Sequence, residues 1–314
     1  MRHRNLLLFL LLAAVWGSAF VAIKAGLGTP AAPAGFFETP ILFAALRYDI
    51  AGVLMLGYAA YVTDRWLPRT RTEWASVLVA GALMIAAYHA FLFVGETDPA
   101  VTSAVAAIVV SLSPVLTAGF SRLFLPSDRL TVLGFVGLLL GLVGVVLLTK
   151  PTPDNLGINL GVGLVFLAAA AFALGSVLNR RIDADLPIET LEAWAMLVGA
   201  LLMHVASLGI GESVADATFS TTALLALGYL ALAASAGGFL VYFDLLERLG
   251  PVEINLVSYV APVFAALVGF LLLEEGLDVY AVAGFVVILV GFALMKRDAI
   301  REELAGTSTP TKGD

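Results

Sequence analysis

Ser113-Pro114-Val115-Leu116-Thr117-Ala118 returns 148 residues later (114 to 262) as Ala261-Pro262-Val263-Phe264-Ala265-Ala266, and this echo decides how the chain is built. Downstream of the first copy, Asp128-Arg129-Leu130 lies over Glu275-Gly276-Leu277. Gly137 and Gly144 lie over Gly284 and Gly291, with the offset shortened to 147 (137 to 284). Near the start of each half, Gly17-Ser18 matches Gly175-Ser176 more weakly. The pattern predicts two related units, 1–150 and 151–297, followed by a polar, disordered cytoplasmic tail, 298–314.

The echoes sit in apolar runs. Of the 314 residues 61% are hydrophobic and 13% charged, against about 45–50% and about 25% in soluble domains, so a water-soluble core cannot hold the apolar side chains. Crossing a hydrocarbon layer of about 30 Å takes roughly 20 apolar residues as a helix. Ten stretches fit: Leu6–Gly26, Ile41–Val62, Trp74–Val94, Ala100–Phe120, Leu130–Thr149, Gly157–Leu178, Leu191–Ile210, Thr222–Leu245, Ile254–Leu273 and Val279–Met295. The first begins like a signal peptide but lacks a small-residue cleavage site, so it reads as a retained span. The expected fold class is therefore an all-α integral membrane protein with ten transmembrane helices. The loops are too short to fold as a domain, which places any activity within the membrane region.

Basic residues choose a side. Arg2, Arg4, Arg65, Arg69, Arg71, Arg122, Arg129, Arg180, Arg181, Arg248, Lys296, Arg297, Arg301 and Lys312 fall on one side, and Lys150 stands in a loop of the other. Basic loops mark the cytoplasmic face, so both termini are expected inside a multi-pass cell-membrane protein. Glu38, Glu96, Asp98, Asp154, Glu212, Asp216, Glu274, Glu275 and Asp278 are read as outer-loop acids. Five spans per unit is odd, so the units enter the membrane from opposite faces. Inverted five-helix repeats of this kind are characteristic of secondary transporters.

Other classes fall away. A net charge of −7 leaves no basic footprint for nucleic acid. Without cysteine, and with only His3, His89 and His204, no metal centre is expected, and no cofactor. There is no Gly-x-x-x-x-Gly-Lys-Ser/Thr loop for ATP. The alternative, an intramembrane enzyme, lacks a catalytic constellation: Gly119-Phe120-Ser121 has no following glycine and no histidine at matching depth.

Trp16-Gly17-Ser18-Ala19-Phe20, Ala44-Ala45-Leu46-Arg47-Tyr48, Thr102-Ser103-Ala104, the two proline segments and Leu273-Glu274-Glu275-Gly276-Leu277 with Gly284 together resemble the drug/metabolite transporter superfamily, in its ten-helix EamA-type branch. The resemblance covers nearly the whole chain. It implies export or import of small metabolites or amphipathic compounds through a central cavity. The expected function is a secondary transporter of small metabolites, amino acids or amphipathic compounds working by alternating access, with export as the expected direction. Two positions depart from the family pattern: Asp128 stands where a glutamate is usual, and Leu174 where an aromatic is usual.

Candidate cavity residues follow from polarity and position. Trp16, Tyr88, Tyr242 and Tyr259, with Tyr229, are aromatic walls; Ser18, His89, Ser111, Asn179, Asn255 and Ser258 are polar points. Pro114 and Pro262 are expected to kink their helices, freeing the carbonyls of Val110 and Ser258. Lys24 and Arg47 are intramembrane charges. The bland reading of Lys24 is snorkelling to the outer interface, and that of Arg47 an ion pair or carbonyl cap. His204 is assigned to packing. Gly134, Gly137, Gly141 and Gly144 are expected at a close helix contact, with a homodimer through Gly137-x-x-x-Gly141 as the alternative. The expected partners are thus a small-molecule substrate and the lipid bilayer, with a homodimer not required.

Overall fold

The computed structural model describes residues 2–29, 35–124, 132–148, 159–249, 254, 257–295 and 297. Its helices are α1 (Arg2–Leu27), α2 (Pro40–Val62), α3 (Arg71–Glu96), α4 (Ser103–Val110), α5 (Ser113–Phe124), α6 (Val132–Leu148), α7 (Leu160–Ile182), α8 (Ile188–Gly209), α9 (221–249), α10 (Val257–Leu273) and α11 (Val279–Met295). Seven helical stretches are long and apolar enough to cross a membrane: α1, α2, α3, the α4–α5 pair, α7, α8 and α9. α6, α10 and α11 are shorter apolar helices of 17 residues each. Asp128, Lys150, Asn255 and the tail 298–314 lie outside the described residues.

Local chemistry sets the helix starts. α2 opens on Pro40, whose fixed φ suits a first turn and whose missing N–H costs nothing there. α3 opens on a reciprocal capping box: Glu73 N donates to Thr70 Oγ1 (3.1 Å) and Thr70 N to Glu73 Oε2 (3.2 Å). Thr102, Asn159 and Ser220 cap α4, α7 and α9 through their side-chain oxygens.

The expected kink at Pro114 is instead a break. Ser111 and Leu112 form a turn between α4 and α5, and Pro114 falls in the first turn of the new helix. The Val110 carbonyl is not left bare, because Ser113 Oγ donates to it at 2.6 Å. Pro262 does lie inside a continuous helix, α10. Both α3 and α9 widen at mid-length into π-helix, over Ala80–Ala87 and Tyr229–Gly237.

Packing runs between distant parts of the chain. α1 packs on α10, α5 on α7, α2 on α8, and α6 on α11. Gly17 sets the first contact: a Cβ there would overlap the Ala261 carbonyl and sit 2.7 Å from Phe264 Cβ. The α6 glycines meet α11, where a Cβ on Gly291 would lie 2.6 Å from the Gly137 carbonyl and 3.1 Å from Gly141 N. The glycine face considered for a homodimer is therefore occupied within the chain. Phe36, Phe43, Tyr48, Phe93, Met196 and Met203 are fully buried, whereas Leu201, Val205 and Leu208 of α8 point outward, as a hydrocarbon-facing surface requires.

Candidate functional site: a polar cluster along α1, α2, α3 and α9

The π-helical stretch of α9 organises the centre. An extra residue in the turn disturbs the regular ladder, so carbonyls become available to side chains. Gly238 N donates to the carbonyls of Ala233 and Ser235, and the Ala234 carbonyl between them accepts the Trp16 indole N–H at 3.0 Å. The Trp16 ring packs on Tyr242 (centroids 5.6 Å apart) and edge-on to Phe239 (5.9 Å). One turn earlier in α9, Tyr229 hydroxyl meets Ser18 Oγ at 2.6 Å and donates to the Val15 carbonyl at 3.1 Å. Of the expected cavity residues, Trp16, Ser18, Tyr229 and Tyr242 are thus brought together on the α1–α9 seam.

A second group adjoins it. Arg47 is buried in α2, donates from Nε to Ser235 Oγ at 2.9 Å, and holds its guanidinium carbon 5.0 Å from the Tyr48 ring centre. Among the described residues it forms no ion pair, and its observed partner is the Ser235 hydroxyl. Tyr48 hydroxyl contacts His89 Nε2 at 2.7 Å, and the other ring nitrogen, Nδ1, lies 2.8 Å from the Ile85 carbonyl. Tyr88 stacks edge-on to His89 and tilts against Phe172. Glu192, one turn into α8, is half-buried. The sequence reading passed over Glu192, although an acid inside an apolar run of this length is itself the signal.

Other expected residues are placed elsewhere. Ser111 is fully buried with its hydroxyl on the Ile108 carbonyl (2.6 Å). Asn179 bonds Ser76 across the α3–α7 contact. Tyr259 is buried and Ser258 half-buried on α10. His204 is not a packing histidine: its Nε2 pairs with Asp49 Oδ2 at 2.7 Å, on a partly exposed face.

The end of the bundle remote from the N-terminus, here the distal end, is tied shut. Lys24 is held there by backbone carbonyls. Its Nζ donates to the carbonyls of Glu96 (2.8 Å), Asp98 (3.0 Å) and Val101 (2.7 Å), clamping the turn between α3 and α4. Glu275 accepts from Ser103 N (3.0 Å) and Ser103 Oγ (3.2 Å), and Glu212 accepts from Ile41 N (3.1 Å) and Leu42 N (2.8 Å). Each of the two carboxylates faces the positive end of a helix dipole. Glu96 and Glu212, expected as solvated loop acids, are buried instead. Phe36 stacks on Phe43 (4.6 Å), which meets Phe93 edge-on (5.4 Å), and together they plug the same end. At its rim is a cavity of about 660 Å³, lined by Phe37, Glu38, Val94, Glu212 and Asp216 and separate from the Trp16–Arg47 cluster. Among the described residues no three acids or histidines gather as metal ligands.

Comparison with known proteins agrees with this architecture. The family model described as the EamA-like transporter family matches residues 3–150 and again 159–297. The chain is 33% identical over 257 residues to an uncharacterized inner membrane transporter of Escherichia coli K12, YedA, covering 81% of this chain and 78% of that one. It is 27% identical to an uncharacterized transporter of Archaeoglobus fulgidus, covering 90% and 95%. A solved crystal structure superposes with a TM-score of 0.62 at 25% identity, over 96% of this chain and all of the other. The chain is a multi-pass membrane protein and belongs to the EamA-like transporter family, within the drug/metabolite transporter superfamily.

Proposed function

We propose that the protein is a secondary transporter that exports small amphipathic metabolites or amino acids across the cell membrane by alternating access. Ten spans then form two inverted five-helix repeats, with both termini cytoplasmic and the distal end outside. The observation that carries this reading is the exchange symmetry of the packing. α1 lies on α10 as α5 lies on α7, while α2–α8 and α6–α11 pair like with like. The π-helical stretches of α3 and α9 stand at matching places in the two halves, and the family model matches each half once. A pair of units related in this way can rock between two mirrored openings.

The cargo reading rests on the cluster itself. Trp16, Tyr242, Phe239 and Tyr88 offer aromatic faces, and Arg47, Ser18 and His89 offer few polar groups. This suits a molecule with an apolar body and a small polar end. Reconstituted vesicles loaded with a panel of amino acids and lipophilic cations test the proposal. Protein-dependent, saturable flux of at least one class supports it; inert vesicles across the whole panel contradict it.

A further inference from the structure

Among the described residues, the distal closure contains a carboxyl group with no hydrogen-bond partner. Glu96 is 1% exposed, and both side-chain oxygens are buried without a hydrogen bond. The natural partner, Lys24, is already committed. An ammonium has three hydrogens, and Lys24 makes three contacts, to the carbonyls of Glu96, Asp98 and Val101.

The other charges around Glu96 are also accounted for. Glu275, from the α10–α11 link, is bound to Ser103. Arg47, from α2, is turned to Ser235 and Tyr48. Asp98, in the same turn, accepts from Ala100 N and from Asn159 at the head of α7. His89, two turns back on α3, is held by Tyr48 and Ile85. A carboxylate sealed from water with no donor is far more costly than the neutral acid, and such groups take up a proton rather than stay ionised.

We propose that Glu96 is a proton-binding site: closing the distal end adds one H⁺ to its carboxylate, so the distal-closed protein carries one more proton than the distal-open one. Opening withdraws Lys24 from the turn, admits water, and releases that proton on the distal side as Glu96 becomes a carboxylate able to pair with Lys24. The inference rests on the alternating-access reading above and makes closure of the distal end pH-dependent.

Because the chain has no cysteine, a single reporter thiol is clean. Val101 is fully buried under the Lys24 clamp, and Val279 is 74% exposed. In full-length protein in nanodiscs, the V101C labelling rate by a maleimide, divided by that of V279C, corrects for thiol ionisation. This ratio is expected to rise by about tenfold per pH unit through the range where closure is proton-limited, the slope one proton gives. E96Q should flatten the profile and keep V101C protected. A pH-independent ratio in the native background, or an unchanged slope in E96Q, overturns the proposal. If E96Q yields no monodisperse protein, infrared spectra take its place. The carbonyl stretch of a protonated carboxyl group is expected while V101C is protected and should shift in E96D; absence of that band overturns the proposal. Vesicle flux with pH-independent labelling sinks the proton site alone. No flux, with V101C protected at every pH, sinks the carrier reading and the proton site with it.

Discussion

Arg47 reaches from the second turn of α2 to Ser235 in the π-helical stretch of α9, Nε to Oγ at 2.9 Å, and so joins the two halves of the central cluster through a charged hydrogen bond. A buried guanidinium without a carboxylate partner is costly to maintain. Under the proposed function, its place next to Tyr48 and Ser235 makes it the candidate polar anchor for cargo. Arg47→Ala is expected to lower vesicle flux by about tenfold or more, while Arg47→Lys, which keeps the charge but loses the planar donor fork, restores only part of it. Ser235→Ala should cost less, since the charge remains. The comparison of the three flux values checks this.

Trp16 acts both as a ring and as a donor. Trp16→Phe keeps an aromatic face against Tyr242 but strands the Ala234 carbonyl, at a cost of about 1–3 kcal/mol. A lowered Tm with flux partly retained is the expected result. Trp16→Ala and His89→Ala should reduce flux with membrane abundance intact, as immunoblotting of the membrane fraction will show.

Gly17 is where α1 and α10 touch. Any side chain there meets the Ala261 carbonyl, which is backbone and cannot swing aside. Gly17→Leu is expected to abolish a monodisperse peak on size exclusion, whereas Gly57→Ala, with open space around it, should leave the peak unchanged.

The His204–Asp49 pair is a contrasting case. Both side chains are partly exposed, at 33% and 44%. A double-mutant cycle with His204→Leu and Asp49→Ala, read as thermal stability, is expected to give a coupling of about 0–1 kcal/mol. The pair then contributes little to folding compared with the buried Arg47 contact.

The sequence made the seven long crossing stretches legible because a hydrocarbon crossing needs length and apolarity, both of which a single chain displays. It also made the paired glycines legible, since Gly137 and Gly144 repeat as Gly284 and Gly291 and meet across one helix contact. What stayed hidden are partners with no side-chain signature. Lys24 binds backbone carbonyls, which every residue owns, so its clamp leaves no trace in composition. Glu96 precedes Thr97-Asp98-Pro99 and therefore reads as a loop acid, yet it is the last helical residue of α3 and faces inward. The break before Pro114 was missed because a proline looks the same in the body of a helix and in its first turn; Ser113, the residue that serves the freed carbonyl, was the available cue.

Sidedness of the chain ends tests the central claim most directly, since two inverted five-helix repeats demand an even number of crossings. Single cysteines replacing Asn5 and Arg297, probed in intact cells with a membrane-impermeant maleimide, are both expected to stay unlabelled until the membrane is permeabilised. Labelling of one end and not the other in intact cells would make the number of crossings odd and contradict the inverted-repeat carrier.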